Sequence, residues 1–422
     1  MRVYSLLNNI MTNMAFKQRS DYTFKFNRDS GRYGWLRLTP AYSVKLVEEI
    51  LKYSDPNAHI IDPFSGTGTT PLCAGHHGFS AVGYELNPFL TWFGQVKTDL
   101  YSGDDINKAV SASETLVEII SNNDIIPAEP PQIYNIKRWW NPSELNYLCK
   151  LKSAIDKLHP GLSKAKNLLL VAFCRLIIEL SNAAFNHQSM SFRENDTHQL
   201  PLFKNQDKFN LVFLRALKQV LNSASHNPIV RPEILKCDSR FLECKISKKF
   251  DLLVTSPPYP NRMSYIRELR PYMFWLGYLT NGRDAGELDW QAIGGTWGIA
   301  TSRLNGWSRN PEGFYPAYFE NLLDKVAHKD NKNGQIMANY IARYFEDMWL
   351  HIQSIEDKIT SGGCVHYIVG NSAFYNIIIP VEQLFKEMLE NVGFSNVKIH
   401  TLRKRNSKKA LFEFDVTGFK RN

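Results

Sequence analysis

Hydrophobic and polar positions along this chain follow two periods. Residues 43–53, SVKLVEEILKY, place apolar side chains three and four apart and predict an amphipathic helix. HIID follows as a short apolar strand, then a Gly-rich turn, then a helix beginning near Thr70. SAVGYELNP, residues 80–88, reads as a second strand ending at an acid, so the stretch forms a βαβ unit. Strand patterns resume in EILKCDSR (233–240) and FDLLVTSPPY (250–259). A helix over 337–359, a strand over 362–371 and a helix over 381–394 come next. NVKIHTLRK and KALFEFDVTGF then read as a terminal hairpin. This rhythm predicts an α/β fold: a doubly wound, mostly parallel sheet with a terminal antiparallel hairpin.

Two segments interrupt the rhythm. Residues 103–232 read as a mostly helical insertion. Asn141-Pro142-Ser143-Glu144 has the form of a helix start, and Leu145, Leu148, Leu151, Ile155 and Leu158 follow at helical spacing until Pro160-Gly161. NLLLVAFCRLIIEL, residues 167–180, is apolar but broken by Arg175 and too short to span a bilayer, so it reads as a buried helix. Residues 280–335 are rich in Gly, Asn and Trp and read as irregular. The chain thus divides into 31–102, the insertion 103–232, and 233–422 with 280–335 inside it.

Composition adds a partner class and a compartment. The 422 residues carry 50 Lys and Arg against 41 Asp and Glu, a formal charge of +9, which suits a polyanionic partner. Six cysteines form no CxxC pair, and the first residues lack the apolar core of a signal peptide. A reducing cytoplasm is the expectation, with no membrane span and no metal site. Met11 and Met14 offer alternative starts.

Two motifs carry the chemistry. In Asp62-Pro63-Phe64-Ser65-Gly66-Thr67-Gly68-Thr69-Thr70, the glycines let the backbone turn sharply and let a ligand lie against the main chain. Glu85 ends the next strand about 20 residues on, where a carboxylate can accept both hydroxyls of a ribose. No Lys follows the turn as a P-loop requires, and Thr70-Pro71 stands where a dinucleotide fold has its third glycine. An adenosine-containing cofactor other than ATP or NAD fits best. The second motif is Thr255-Ser256-Pro257-Pro258-Tyr259, directly after a strand. Prolines lack N–H groups, so carbonyls there meet few local donors. Ser256 and the Pro257 carbonyl could accept the two hydrogens of an exocyclic base amine and free its delocalised lone pair. Tyr259 offers a flat face for a flipped base.

DPFxGxGTT followed by SPPY resembles the amino-methyltransferases of bacterial restriction–modification systems, over residues of about 31–100 and 233–420. The resemblance implies a methyltransferase fold that holds S-adenosylmethionine through Asp62, Phe64, Gly66, Gly68, Thr69 and Glu85. It adds the stretch around Trp35, Thr39, Pro40 and Tyr42 at the methionine end and Asp238 at the adenine amine. Ser256, Pro257, Pro258 and Tyr259 would form the catalytic pocket, and serine in place of aspartate at 256 is typical of cytosine-N4 enzymes. The implied partners are double-stranded DNA and a cognate restriction endonuclease. Adenine N6, a guanine amine in RNA, and a non-catalytic cofactor-binding subunit are the alternative readings.

Other features carry blander expectations. His76-His77 read as surface or packing residues, and Trp139-Trp140 as anchors of the insertion. In 280–335, Arg303 and Arg309 interleave with Trp290, Trp297 and Trp307 and are the candidate DNA contacts. Arg403-Lys404-Arg405 with Lys408-Lys409 reads as a solvated hairpin tip.

Overall fold

The computed structural model describes residues 19–38, 42–158, 161, 163–184, 191–192, 205–242, 249–261, 264–295, 302–405 and 410–421. Its centre is a seven-stranded sheet. The strands are β1 (His59–Asp62), β2 (Ser80–Glu85), β3 (Glu233–Lys236), β4 (Phe250–Thr255), β5 (Ile359–Gly370), β6 (Phe394–Lys404) and β7 (Phe412–Lys420). Their order across the sheet is β3-β2-β1-β4-β5-β7-β6. All pairs are parallel except the two made by β7, which runs against both β5 and β6. The chain leaves β1 toward β2 and β3, then returns to lay β4 on the other side of β1. That reversal opens a crevice at the carboxyl ends of β1 and β4, where ligands of such sheets bind.

Both faces of the sheet are covered, which is why its inner strands read as unbroken apolar runs. Successive side chains point to opposite faces. Ile60, Leu252, Val254 and Ile368 pack with α1 (Val44–Leu51) and α2 (Thr69–His76). Ile61, Leu253, Tyr367 and Val369 instead share a core with the helices that follow β4 and β5.

A third core lies beside the sheet. It joins α3 (Pro88–Thr98) to the insertion helices α4 (Gly103–Ser121), α5 (Pro142–Asp156), α6 (Ser163–Glu179) and α7 (Asn205–Ala224), and to α8 (Tyr265–Trp275). Trp139 and Trp140 are its anchors, as expected. They stack at 5.6 Å, Trp140 meets Trp275 edge-on at 5.7 Å, and its Nε1 donates to the Ile177 carbonyl at 2.9 Å. The apolar stretch 167–180 is largely buried within α6. Among the described residues no helix is long and apolar enough to cross a membrane.

The expectation for 280–335 needs correction. The described residues of this segment include the helices α9 (Gly282–Gln291) and α10 (Ala317–Ala327). Asn281 and Asp284 form a capping box that starts α9, and Phe319, Leu323 and Val326 give α10 an apolar face. Two further helices, α11 (Gly334–Glu356) and α12 (Val381–Asn391), flank β5 in sequence.

Candidate active site

The loop after β1 is closed by groups from the same βαβ unit. Gly66 and Gly68 take φ of 52° and 73°, the left-handed region that glycine adopts without strain. The Glu85 carboxylate accepts the Gly66 N–H at 2.8 Å through one oxygen and the Asn87 N–H at 2.7 Å through the other. Each oxygen keeps a lone pair for a ligand hydroxyl. Burial pushes Glu85 up to about 7, with the bonds from Asn87 and Gly66 pulling the other way. A side chain at Gly66 would meet no heavy atom nearer than the Phe64 carbonyl, 3.9 Å from its Cβ, and the residue lines the cleft. At Gly68 an added Cβ would lie 3.6 Å from Gly94 Cα, an ordinary contact with α3, so the left-handed φ is what favours glycine there. Behind the loop, buried Lys97 donates to the Thr67 carbonyl at 2.9 Å, and its burial lowers its pKa to about 7.

The loop after β4 is held from farther away. The Tyr344 hydroxyl, on α11, donates to the Pro258 carbonyl at 2.8 Å. The Tyr259 N–H donates to the Tyr265 hydroxyl at 3.3 Å. The Tyr259 hydroxyl donates to Glu413 on β7 at 2.9 Å, and the Arg405 guanidinium lies over its ring, 4.9 Å from the centroid. Burial, then the nearby Glu413 carboxylate, raises Tyr259 far above the usual phenol range, so it stays a neutral ring.

One buried bond ties the two loops together. Thr255, at the end of β4, donates its hydroxyl to Asp62 at the end of β1 at 2.6 Å. Asp62 also accepts the Phe64 N–H at 3.1 Å. Burial raises its pKa to about 6, against the lowering effect of these bonds.

Both loops line one cavity of about 380 Å³. Phe64, Gly66, Thr69 and Glu85 face it, as do all four of Ser256, Pro257, Pro258 and Tyr259. Asp238 also lines it, but its carboxylate grips Arg240 at 2.6 Å, which reaches on to Asp347 at 2.7 Å. Of the stretch expected at the methionine end, Tyr42 lines the cavity, while Trp35 is buried and donates to Ser223 Oγ at 2.7 Å. Thr39 and Pro40 lie outside the described residues.

Three further walls complete the cavity. Tyr22, Thr23, Phe24 and Lys25 line one side, from a segment without a periodic signal. Leu288, Ala292 and Ile293, from α9 and the turn after it, line another. The third corrects the solvated-tip expectation. Arg403, Arg405 and Glu413 at the turn end of the hairpin all line the cavity, and the Arg403–Glu413 pair at 2.7 Å is largely buried. Lys408 and Lys409 lie outside the described residues.

Arg303 and Arg309 are not among the lining residues. Arg303 makes two bonds to Glu287, at 2.9 and 2.7 Å, and Arg309 lies 5.7 Å from the Tyr315 ring centroid. His76 packs edge-on against Tyr33 and shares a hydrogen bond with its hydroxyl at 3.2 Å. Glu48, Cys73 and His77 bring potential ligand atoms within 4.8 Å of one another, and burial raises the pKa of the Cys73 thiol.

No family model matches the chain. It is similar to the Type II methyltransferase M.BsoBI of Geobacillus stearothermophilus, 21% identical over an alignment that spans 91% of this chain and 82% of the relative. It is also similar to M.MvaI of Kocuria varians, 20% identical over 86% of this chain and 80% of the relative. M.AvaI of a Nostoc strain is 21% identical over 91% of this chain and 83% of its own. A solved rRNA methyltransferase from Streptomyces viridochromogenes aligns with 90% of this chain and 86% of its own at 9% identity and a TM-score of 0.30.

Proposed function

We propose that this chain is an S-adenosylmethionine-dependent DNA methyltransferase acting on an exocyclic base amine, N4 of cytosine. One observation carries the reading: the Gly-rich loop with Glu85 and the Ser-Pro-Pro-Tyr loop end adjacent parallel strands and share a single cavity. The Type II methyltransferase names of relatives spanning most of the chain support it.

The residues fit the cofactor. The open space at Gly66 suits a ligand lying against the main chain, and Glu85 has acceptor capacity for a ribose diol. Phe64 and Asp238 line the same cavity, and Asp238, held by Arg240, is the candidate partner for the adenine amine. When bound, the cofactor supplies a methyl group on a positively charged sulfur. The chain's own residues do the rest. Ser256 and the Pro257 carbonyl accept the hydrogens of the amine, which localises its lone pair, and Tyr259 holds the base plane by stacking. Alignment of the reacting atoms and fixed acceptors for developing positive charge on nitrogen are what lower the barrier.

Double-stranded DNA is the proposed substrate and the cytoplasm the proposed site of action. A cognate restriction endonuclease is the proposed functional partner. The test is to incubate the purified protein with DNA and S-adenosylmethionine and identify the modified nucleoside by mass spectrometry. N4-methylcytosine is expected. N6-methyladenine would overturn the base assignment, and unmodified DNA would overturn the enzyme reading.

A further inference from the structure

We propose that Glu413 is a positioning residue for base capture: through the Tyr259 hydroxyl it fixes the ring on which the target base stacks. This rests on the reading of Tyr259 as that stacking surface. A tyrosine ring beside an open cavity has freedom about its side-chain torsions unless its hydroxyl and one face are held. Here both are held, and by the hairpin. Glu413 Oε1 accepts the phenol at 2.9 Å, and the Arg405 guanidinium covers the ring at 4.9 Å.

Each anchor is itself fixed. Glu413 on β7 stands opposite Arg403 on β6 in the strand register. Arg403 Nε donates to Oε2 at 2.7 Å and Nη2 to Oε1 at 3.1 Å. The Arg403 guanidinium thus pairs with both oxygens of a carboxylate only 4% exposed, and a hydrogen bond to an ion-paired carboxylate is stronger than one between neutral groups. Arg405 Nη1 donates to the Asn371 carbonyl at 2.8 Å. The room for both groups comes from Gly370. A Cβ there would fall 2.1 Å from Arg405 Nη1 and 2.9 Å from Tyr259 Cε2. The phenol proton is committed to Glu413, so the ring acts toward a base as a surface for stacking and not as a hydrogen-bond donor. A cross-strand ion pair serving stability alone would have no need to share an oxygen with a residue of the catalytic loop.

The experiment measures kcat/KM for a duplex containing the target site, with the full chain and four variants: Tyr259→Phe, Glu413→Leu, Glu413→Gln and the double Tyr259→Phe/Glu413→Leu. Tyr259→Phe and Glu413→Leu should each lower kcat/KM roughly tenfold, the scale of one hydrogen bond to a charged group. S-adenosylhomocysteine affinity by calorimetry should not change. Glu413→Gln keeps an acceptor and should recover most of the loss. The double variant should be no worse than the worse single, because residues acting through one contact are not additive. Losses that multiply in the double variant, or a Tyr259→Phe enzyme with full kcat/KM, overturn the proposal. If Glu413→Leu does not fold, Gly370→Ala replaces it. That change displaces the ring or Arg405 while leaving Glu413 intact, and it should lower kcat/KM at unchanged cofactor affinity. A fully active Gly370→Ala enzyme overturns the proposal. Tyr259→Ala separates the two readings: full activity there refutes the stacking role itself. Loss there with wild-type Tyr259→Phe and Glu413→Leu refutes only the part played by Glu413.

Discussion

The two loops that meet at the switch point are built on opposite plans. The loop after β1 is tied by Glu85, 19 positions on, and by Asn87 beside it, all within one βαβ unit. The loop after β4 is tied by Tyr344, 86 positions away, and by Glu413, 154 positions away. One is a local device and the other an assembly of distant parts. Apart from the Thr255–Asp62 bond that joins the two loops, cofactor binding should therefore respond most to changes near residues 62–97, whereas base capture should respond to changes across the second half of the chain.

The sharpest way to break this contrast is Gly66→Val. A branched side chain at a φ of 52° is strained and would project into the cleft, so cofactor binding should be lost in calorimetry. Retained binding would remove the loop from the site. Ser256→Ala should slow the chemical step by about 10²-fold in single-turnover assays, the scale of one oriented hydrogen bond, with cofactor affinity unchanged. An unaltered single-turnover rate would deny Ser256 its role.

Glu85 gives a pH-dependent version of the test. Its folded pKa of about 7 lies above the ordinary 4.5, so the folded state holds its proton longer than the unfolded chain. Stability is therefore lost as pH rises from about 4.5 to about 7, and cofactor affinity is gained as the carboxylate ionises through the upper part of that window. Glu85→Gln should make the protein more stable at pH 8, by on the order of 2 kcal/mol, while weakening cofactor binding by about 1–3 kcal/mol. Thermal melts and titrations at pH 6 and 8 decide it. A variant less stable than wild type at pH 8 would show that the buried charge is not the cost described.

The smallest effect concerns the two arginines outside the cavity. Arg303 is already matched by Glu287, so Arg303→Ala should change DNA affinity by no more than about 1 kcal/mol, the scale of an exposed pair. Arg309→Ala should reduce the salt slope of DNA binding by about one if it meets a phosphate. A tenfold loss with relaxed sequence preference in either variant would make this segment the reader of bases.

The contrast also explains what could be read from the amino acids. Glycines after a strand and an acid at the end of the next one announce the loop that Glu85 closes, because the whole device fits in one βαβ unit. Ser-Pro-Pro-Tyr announces itself but not its supports. In KALFEFDVTGF, Glu413 and Asp415 alternate with Phe412, Phe414 and Val416, a pattern that assigns the acids to water. β7 is instead an inner strand with both faces covered, so Glu413 is buried against Arg403 and Asp415 against His366 at 2.8 Å. The charges of Arg403 and Arg405 misled for the same reason. The helices of 280–335 were hidden by Gly and Asn, although the Asn281 and Asp284 cap was present to be read. The 22–25 wall has neither period nor motif, and only tertiary packing brings it to the cleft.

The place of β7 has a consequence in time. It is the latest of the seven strands in chain order, yet it lies between β5 and β6. During synthesis, β1 to β5 can pair in turn as they emerge, and the cofactor loop can close early. The outer edge of β5 must wait, with its backbone groups unpaired, until residues 412–420 arrive, and such an edge invites wrong partners. Glu413 arrives on that same strand. On the function proposed above, a nascent chain acquires the means to hold its methyl donor well before it acquires a finished seat for a base.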